Sequence, residues 1–265
     1  MLDHDHIKDV AVDYVLSSIR RFAEGRRGRQ AAFQVLDLIM PHERKIRSIV
    51  GGLETSFGTT LWEGLAIELA QQNNFEVCDK RNLLKPENFH EKTERIIRLV
   101  QNDREHERGE YNAETSHLAI KDACRGIEYE PDVFVSPPAG HGIDVWLKKD
   151  GIDYWFDIKT VHPNVGGYQR FLKQILNWYA YYYSRWPHGH LEARIVFPYN
   201  PHDRCFWDAT PRGGLPLERG QEGWVADDFW DFCTGNKEST SCLFEGFKKI
   251  GEEGMVSEIL KDLFA

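Results

Sequence analysis

The stretch GIDVWLKKDGIDYWFDIK at 142–159 limits the fold more than any other part of the chain. At its centre stand Asp150 and Gly151, a pair suited to the positive-φ positions of a two-residue hairpin turn. The flanking residues alternate with the two-residue period of strands. With Asp150 and Gly151 as the loop, Lys149 faces Ile152, and counting outward sets Asp144 directly opposite Asp157. Ile143, Val145, Leu147, Ile152, Tyr154, Phe156 and Ile158 then share one face, expected to meet the core. Asp144, Trp146, Lys148, Asp153, Trp155, Asp157 and Lys159 share the other. The Asp153–Lys148 opposition on that face reads as an ordinary solvated pair.

Two carboxylates placed opposite one another repel and weaken a sheet. The pairing makes sense if a hard divalent cation sits between them, since Mg²⁺ accepts one or two carboxylates and keeps room for water and phosphate oxygens. Lys159 lies two residues beyond Asp157, on the same face. An ammonium there can orient an attacking water or offset charge building on a phosphate. His4-Asp5-His6 and His188-x-His190 also carry metal-ligand residue types, but surface histidines are the expectation for both.

The rest of the chain reads as α/β, a small mixed sheet flanked by helices behind a helical N-terminal layer. Helical spacing is expected over 5–24, over 30–50 with Pro41 forcing a break or new start, and over 56–72 with Thr59 or Thr60 near the N-terminus. A short strand at 75–78, helices at 88–107 and 114–125, strands within 132–159, an aromatic helix at 167–186 and a strand at 191–199 follow. Residues 203–223 read as a loop, and two or three short helices close the chain. On the aromatic helix, Phe171, Ile175, Trp178, Tyr179 and Tyr182 recur at helical spacing and are expected to pack on the sheet. A single domain over 1–265 is expected, with the N-terminal layer at 1–55, a core at 56–200, and a loop with C-terminal helices at 201–265.

The net charge of −9 excludes a uniformly basic nucleic-acid coat. Residues 159–219 nevertheless carry eight basic and four acidic side chains, a local excess that begins at the candidate site. Five scattered cysteines without a CxxC argue against a disulfide scaffold or zinc ribbon and fit a reducing cytosol. Neither a secretory signal nor a membrane-spanning run is evident, so a cytoplasmic protein is expected.

Asp144…Asp157-Ile158-Lys159 has the spacing of the PD-(D/E)xK nucleases. TSFGTTLWEGLA at 55–66 and FDIKTVHPN at 156–164, with the aromatic helix that follows, resemble TdeIII-type restriction endonucleases over roughly 45–200. The resemblance implies a PD-(D/E)xK nuclease core and a bacterial or archaeal type II enzyme. Such an enzyme uses Mg²⁺ to cut both strands of double-stranded DNA at a short palindrome, GGNCC-type sites being associated with that family. It implies Asp144 and Asp157 as metal-binding acids, the Ile158 carbonyl as a third ligand, Lys159 as the catalytic lysine and Glu63 as a further helix-borne acid. A homodimer and a companion DNA methyltransferase are implied as partners. The departure from the pattern is Ile143 where the motif has proline. A literal Pro131-Asp132 lies upstream, but hairpin register favours Asp144.

Residues that follow the catalytic strand, Thr160, His162, Asn164, Gln169, Arg170 and Lys173, are candidates for facing the duplex. Arg204 and Arg212 in the loop, and Arg26, Arg27 and Arg29 near the N-terminus, are candidates for grooves or phosphates. Two other functions fit the same residues: a structure-specific repair or junction-resolving nuclease, and a DNA-binding protein without chemistry.

Overall fold

Asp150 and Gly151 both have positive φ, 52° and 79°, in the computed structural model of the protein, which describes residues 2–28, 32–160 and 163–264. They close the expected hairpin. The chain divides into two compact units, one of residues up to 73 together with 230 onward, the other of 74–229.

The first unit is helical: α1 (His4–Arg26), α2 (Leu36–Ile39), α3 (Pro41–Ser56) and α4 (Trp62–Gln72). The break at Pro41 is present, but 32–35 are not helical, and α3 runs into α4 through a π-helical turn at Phe57–Leu61. No new helix therefore starts at Thr59 or Thr60. The Thr60 hydroxyl instead donates to the Ser56 carbonyl one turn back (2.8 Å), which continues the helix rather than capping one.

The second unit holds the sheet. Its elements are β1 (Glu76–Val77), β2 (Lys85–Pro86), α5 (Glu91–Glu105), α6 (Ala113–Cys124), β3 (Phe134–Val135), β4 (Val145–Lys149), β5 (Ile152–Ile158), α7 (Val165–Arg185), β6 (Leu191–Phe197), α8 (Phe206–Ala209) and β7 (Gly223–Val225). Then α9 (Asp227–Thr234) leads back to the first unit, where α10 (Ser239–Glu252) and α11 (Met255–Phe264) pack with α1 around Val15, Ile19, Leu61, Ile250 and Leu260.

The strand order is β1-β4-β5-β6-β7, with β1, β4 and β5 antiparallel and β5, β6 and β7 parallel. This is the expected small mixed sheet. β4 and β5 pair Lys149 with Ile152 and Val145 with Phe156, the register read from the turn. β2 and β3 form a separate two-stranded sheet, and Asp132 lies in the short 3₁₀ turn that leads into β3, not on the sheet that holds the hairpin.

Both faces of the hairpin are buried, not one. Phe156 meets Trp224 and Phe229, ring centroids 5.8 and 5.1 Å away. Under α7 lie Trp146 and Trp155, packed with Trp178, Tyr179 and Tyr182. Asp153 is correspondingly not a solvated partner of Lys148. Its carboxylate is buried and accepts from Trp146 Nε1 (2.7 Å) and the Tyr182 hydroxyl (2.8 Å).

A second buried charge fastens α5 to the segment before β7. Arg104 donates to both Glu222 oxygens (2.5 and 2.6 Å) and to the Pro216 carbonyl (2.8 Å), with both side chains nearly inaccessible. Removing one partner would strand the other charge in the interior, at about 3–5 kcal/mol. Arg104→Ala is therefore expected to lower the melting temperature by on the order of 10 °C. The paired apolar replacement of Arg104 and Glu222 should recover most of the loss, as read by thermal unfolding.

Candidate active site

The end of β5 brings three expected residues together. Asp157 is buried on the face beneath α7, Asp144 sits one residue before β4, and Lys159 one residue beyond β5. Asp144 continues the ladder, its N–H donating to the Phe156 carbonyl (2.8 Å). Its side-chain Oδ2 accepts from the N–H of Ile158 (2.7 Å), which sets the carboxyl group against that of Asp157 across the ladder. Lys159 Nζ reaches both Asp157 oxygens, at 2.7 and 2.6 Å, and lies 5.8 Å from the Phe171 ring centroid.

Ile158 faces the pair with its backbone. The Lys159 N–H donates to the Val196 carbonyl on β6 (2.8 Å). The Ile158 carbonyl belongs to the same planar trans peptide, so it points the opposite way, to the side where Asp144 lies. Two carboxylates and a carbonyl are hard oxygen donors, the set that suits Mg²⁺, which takes one or two carboxylates and retains waters. Among the described residues no cluster of three or more His, Cys, Asp or Glu is placed to hold a metal.

Gln174 was not foreseen. It is buried on α7, and its Nε2 donates to Asp157 Oδ2 (3.1 Å) and to the Gly142 carbonyl (3.2 Å). Trp178 Nε1 donates to the neighbouring His141 carbonyl (3.0 Å). α7 thus ties down Asp157 and the segment that delivers Asp144. The signal in the sequence was a single amide between Leu172 and Ile175 on an otherwise apolar stripe, where a buried polar group needs a partner.

Burial pushes the Asp157 carboxyl up to about 7; Lys159 opposes that shift, while the hydrogen bond and the charge of Asp144 add to it. The pair can therefore carry one shared proton, and a cation would relieve the same repulsion.

The other expected residues are dispersed. Glu63 lies on α4 of the helical unit, half-buried. Thr160 is half-buried just past β5, and His162, like Arg29, lies outside the described residues. Asn164 is not free to read a base: its side chain caps α7 by accepting from the Gly167 N–H (3.0 Å). Gln169 is half-buried and Arg170 and Lys173 are exposed, all in the first turns of α7. Arg204 is exposed in the loop after β6, while Arg212 is ion-paired with Glu107. Arg26 donates to the Ser48 carbonyl (2.8 Å) and Arg27 pairs with Asp262. His4 bonds the Lys237 carbonyl, His6 bonds Gln72, and His190 pairs with Glu192. The five cysteines are free thiols. No helix among the described residues is long and apolar enough to cross a membrane.

A family model described as "HinfI: Type II restriction endonuclease, HinfI" matches residues 5–251. No curated protein and no solved structure matches the chain.

An acid whose pKa is raised by folding costs stability once the pH exceeds its unfolded value near 3.9, and the cost grows until the folded value is passed. Metal-free protein should therefore lose stability through Asp157 as the pH rises from about 4 to about 7. In chelator at pH 8, Asp157→Asn is expected to be more stable than wild type by on the order of 2–4 kcal/mol. The difference should shrink toward pH 5 in thermal unfolding; a variant less stable at every pH would contradict it.

Proposed function

The chain belongs to the HinfI family of type II restriction endonucleases, site-specific enzymes that act on double-stranded DNA, and on that premise we propose that Asp144, Asp157 and Lys159 form its cleavage centre. The five-stranded mixed sheet flanked by helices is its nuclease core. The family match supports the restriction-endonuclease class of the resemblance above and not its TdeIII-type subdivision. One observation carries the assignment of residues. The turn-set register brings a buried carboxylate against a second one, with a lysine 2.6–2.7 Å away, at the end of the central strand.

Type II restriction endonucleases generally depend on divalent metal. Asp144, Asp157 and the Ile158 carbonyl would hold Mg²⁺ here. When bound, it supplies charge that stabilises a hydroxide-like nucleophile and the negative phosphate oxygens. Lys159 Nζ, anchored on Asp157, presents an ammonium to the nucleophilic water and the phosphate. Gln174 keeps Asp157 in one orientation, and the Phe171 ring lies beside the Lys159 ammonium. Attack of water on phosphorus breaks the bond to the 3′-oxygen, which leaves with a proton, so the ends carry 5′-phosphate and 3′-hydroxyl.

In this reading residues 1–265 act as one endonuclease, as two copies on a short palindrome, in a bacterial or archaeal cytoplasm beside a matching DNA methyltransferase. Glu63 as a further acid and a GGNCC-like site rest on the TdeIII-type likeness alone. Thr160, Gln169, Arg170, Lys173 and Arg204 are the proposed DNA-facing residues, supported by the basic excess of 159–219 and by their solvent access.

Incubation of phage-sized DNA with the protein and Mg²⁺, followed by sequencing of the ends, tests this. Discrete fragments sharing a palindrome are expected. Asp144→Asn, Asp157→Asn and Lys159→Ala should each slow cleavage by at least about a hundredfold while still binding DNA. A smear of ends would point to a structure-specific nuclease, and wild-type activity in Asp157→Asn would overturn the assignment.

A further inference from the structure

Exposed large apolar side chains are concentrated in one segment of the helical unit, residues 33–50. Phe33, Val35, Leu38 and Ile39 are 68–76% exposed, and Ile46 and Val50, one turn apart on α3, are exposed beside them in sequence. Elsewhere in the described residues, exposed large apolar side chains occur singly, as with Leu118 on α6. α3 turns Ile49 and Leu53 toward the helical core, while Ile46 and Val50 on the same helix remain exposed.

We propose that residues 33–50 form the surface through which two copies of this chain associate. The proposal rests on the reading that the chain cleaves both strands as a pair. Three observations commit the surface to a second copy. Its apolar area is on the order of 600 Å² per chain, taking a large side chain as roughly 60–120 Å². That reaches the upper limit for patches on monomers and approaches the about 800 Å² per partner of a stable interface. Its charges are of both signs: Asp37 and Arg44 pair with each other within the chain, and exposed Glu43 stands beside exposed Lys45 and Arg47. A two-fold axis that presents the surface to itself therefore sets opposite charges within reach instead of a field of one sign. Finally, the described residues hold one Asp–Asp–Lys centre per chain, and cutting two antiparallel strands at a palindrome calls for two centres related by a two-fold axis. A DNA backbone is the wrong occupant, since phosphates would desolvate against Leu38 and Ile39 without a partner.

Sedimentation equilibrium of the full chain without DNA tests the surface apart from the chemistry. Wild type is expected at twice the chain mass. Leu38→Glu with Ile39→Glu, and separately Val50→Glu, should weaken association at least about a hundredfold and run as monomers. Because these positions are exposed, circular dichroism and melting should change little. Leu118→Glu, equally exposed but outside the surface, should remain dimeric. A monomeric wild type, or dimers that survive both sets of substitutions, would overturn the proposal. A chain that dimerises through this surface yet cuts no DNA would leave the surface standing and sink the nuclease reading instead.

Discussion

The centre depends on keeping one carboxylate, Asp157, out of water. An isolated ionised carboxyl in an apolar interior is too costly to persist, so it must be neutralised, paired or bound to a cation. Here Lys159 and Gln174 hold its oxygens while Asp144 crowds it from the opposing strand. The attraction to Lys159 and the repulsion from Asp144 leave the group poised between a shared proton and a metal ion. In the proposed cleavage centre that balance is what leaves room for a cation, because a fully satisfied salt bridge would have little use for one.

α7 sets that balance along its length. Gln174 on Asp157 and Tyr182 on Asp153 lie eight residues apart on the helix and four apart on β5. Eight helical residues rise about 12 Å and four strand residues about 13 Å, so helix and strand stay in step while running in opposite directions. Two polar contacts and the aromatic packing between them thereby fix where the helix sits over the hairpin. The same helix bonds the carbonyls of His141 and Gly142, so the approach to Asp144 is held by the element that covers Asp157.

The hairpin and its register were legible because they are local: a two-residue turn and a two-residue period suffice to oppose Asp144 and Asp157. The order and type of most elements were legible for the same reason. Burial of the second hairpin face was not read, although Trp146 and Trp155 on that face were the clue, because what covers a strand face is set by a distant helix. The turn at Thr60 misled because its hydroxyl can cap a helix or bond back into one, and neighbouring residues do not decide between them. Asn164 and Arg212 read as free polar groups; one is used to start α7 and the other is paired with Glu107 across the fold. Gln174 was hidden because a lone amide on an apolar stripe becomes meaningful only when its partner's position is known.

Manganese binding followed by electron paramagnetic resonance, on metal-free protein with DNA present in a non-cleaving variant background such as Lys159→Ala, bears most directly on the centre. The account predicts saturable Mn²⁺ binding that falls at least about tenfold when either Asp144→Asn or Asp157→Asn is added, with circular dichroism unchanged. Undiminished Mn²⁺ affinity in both would contradict it, since the two carboxylates opposed by the hairpin would then have no metal to share.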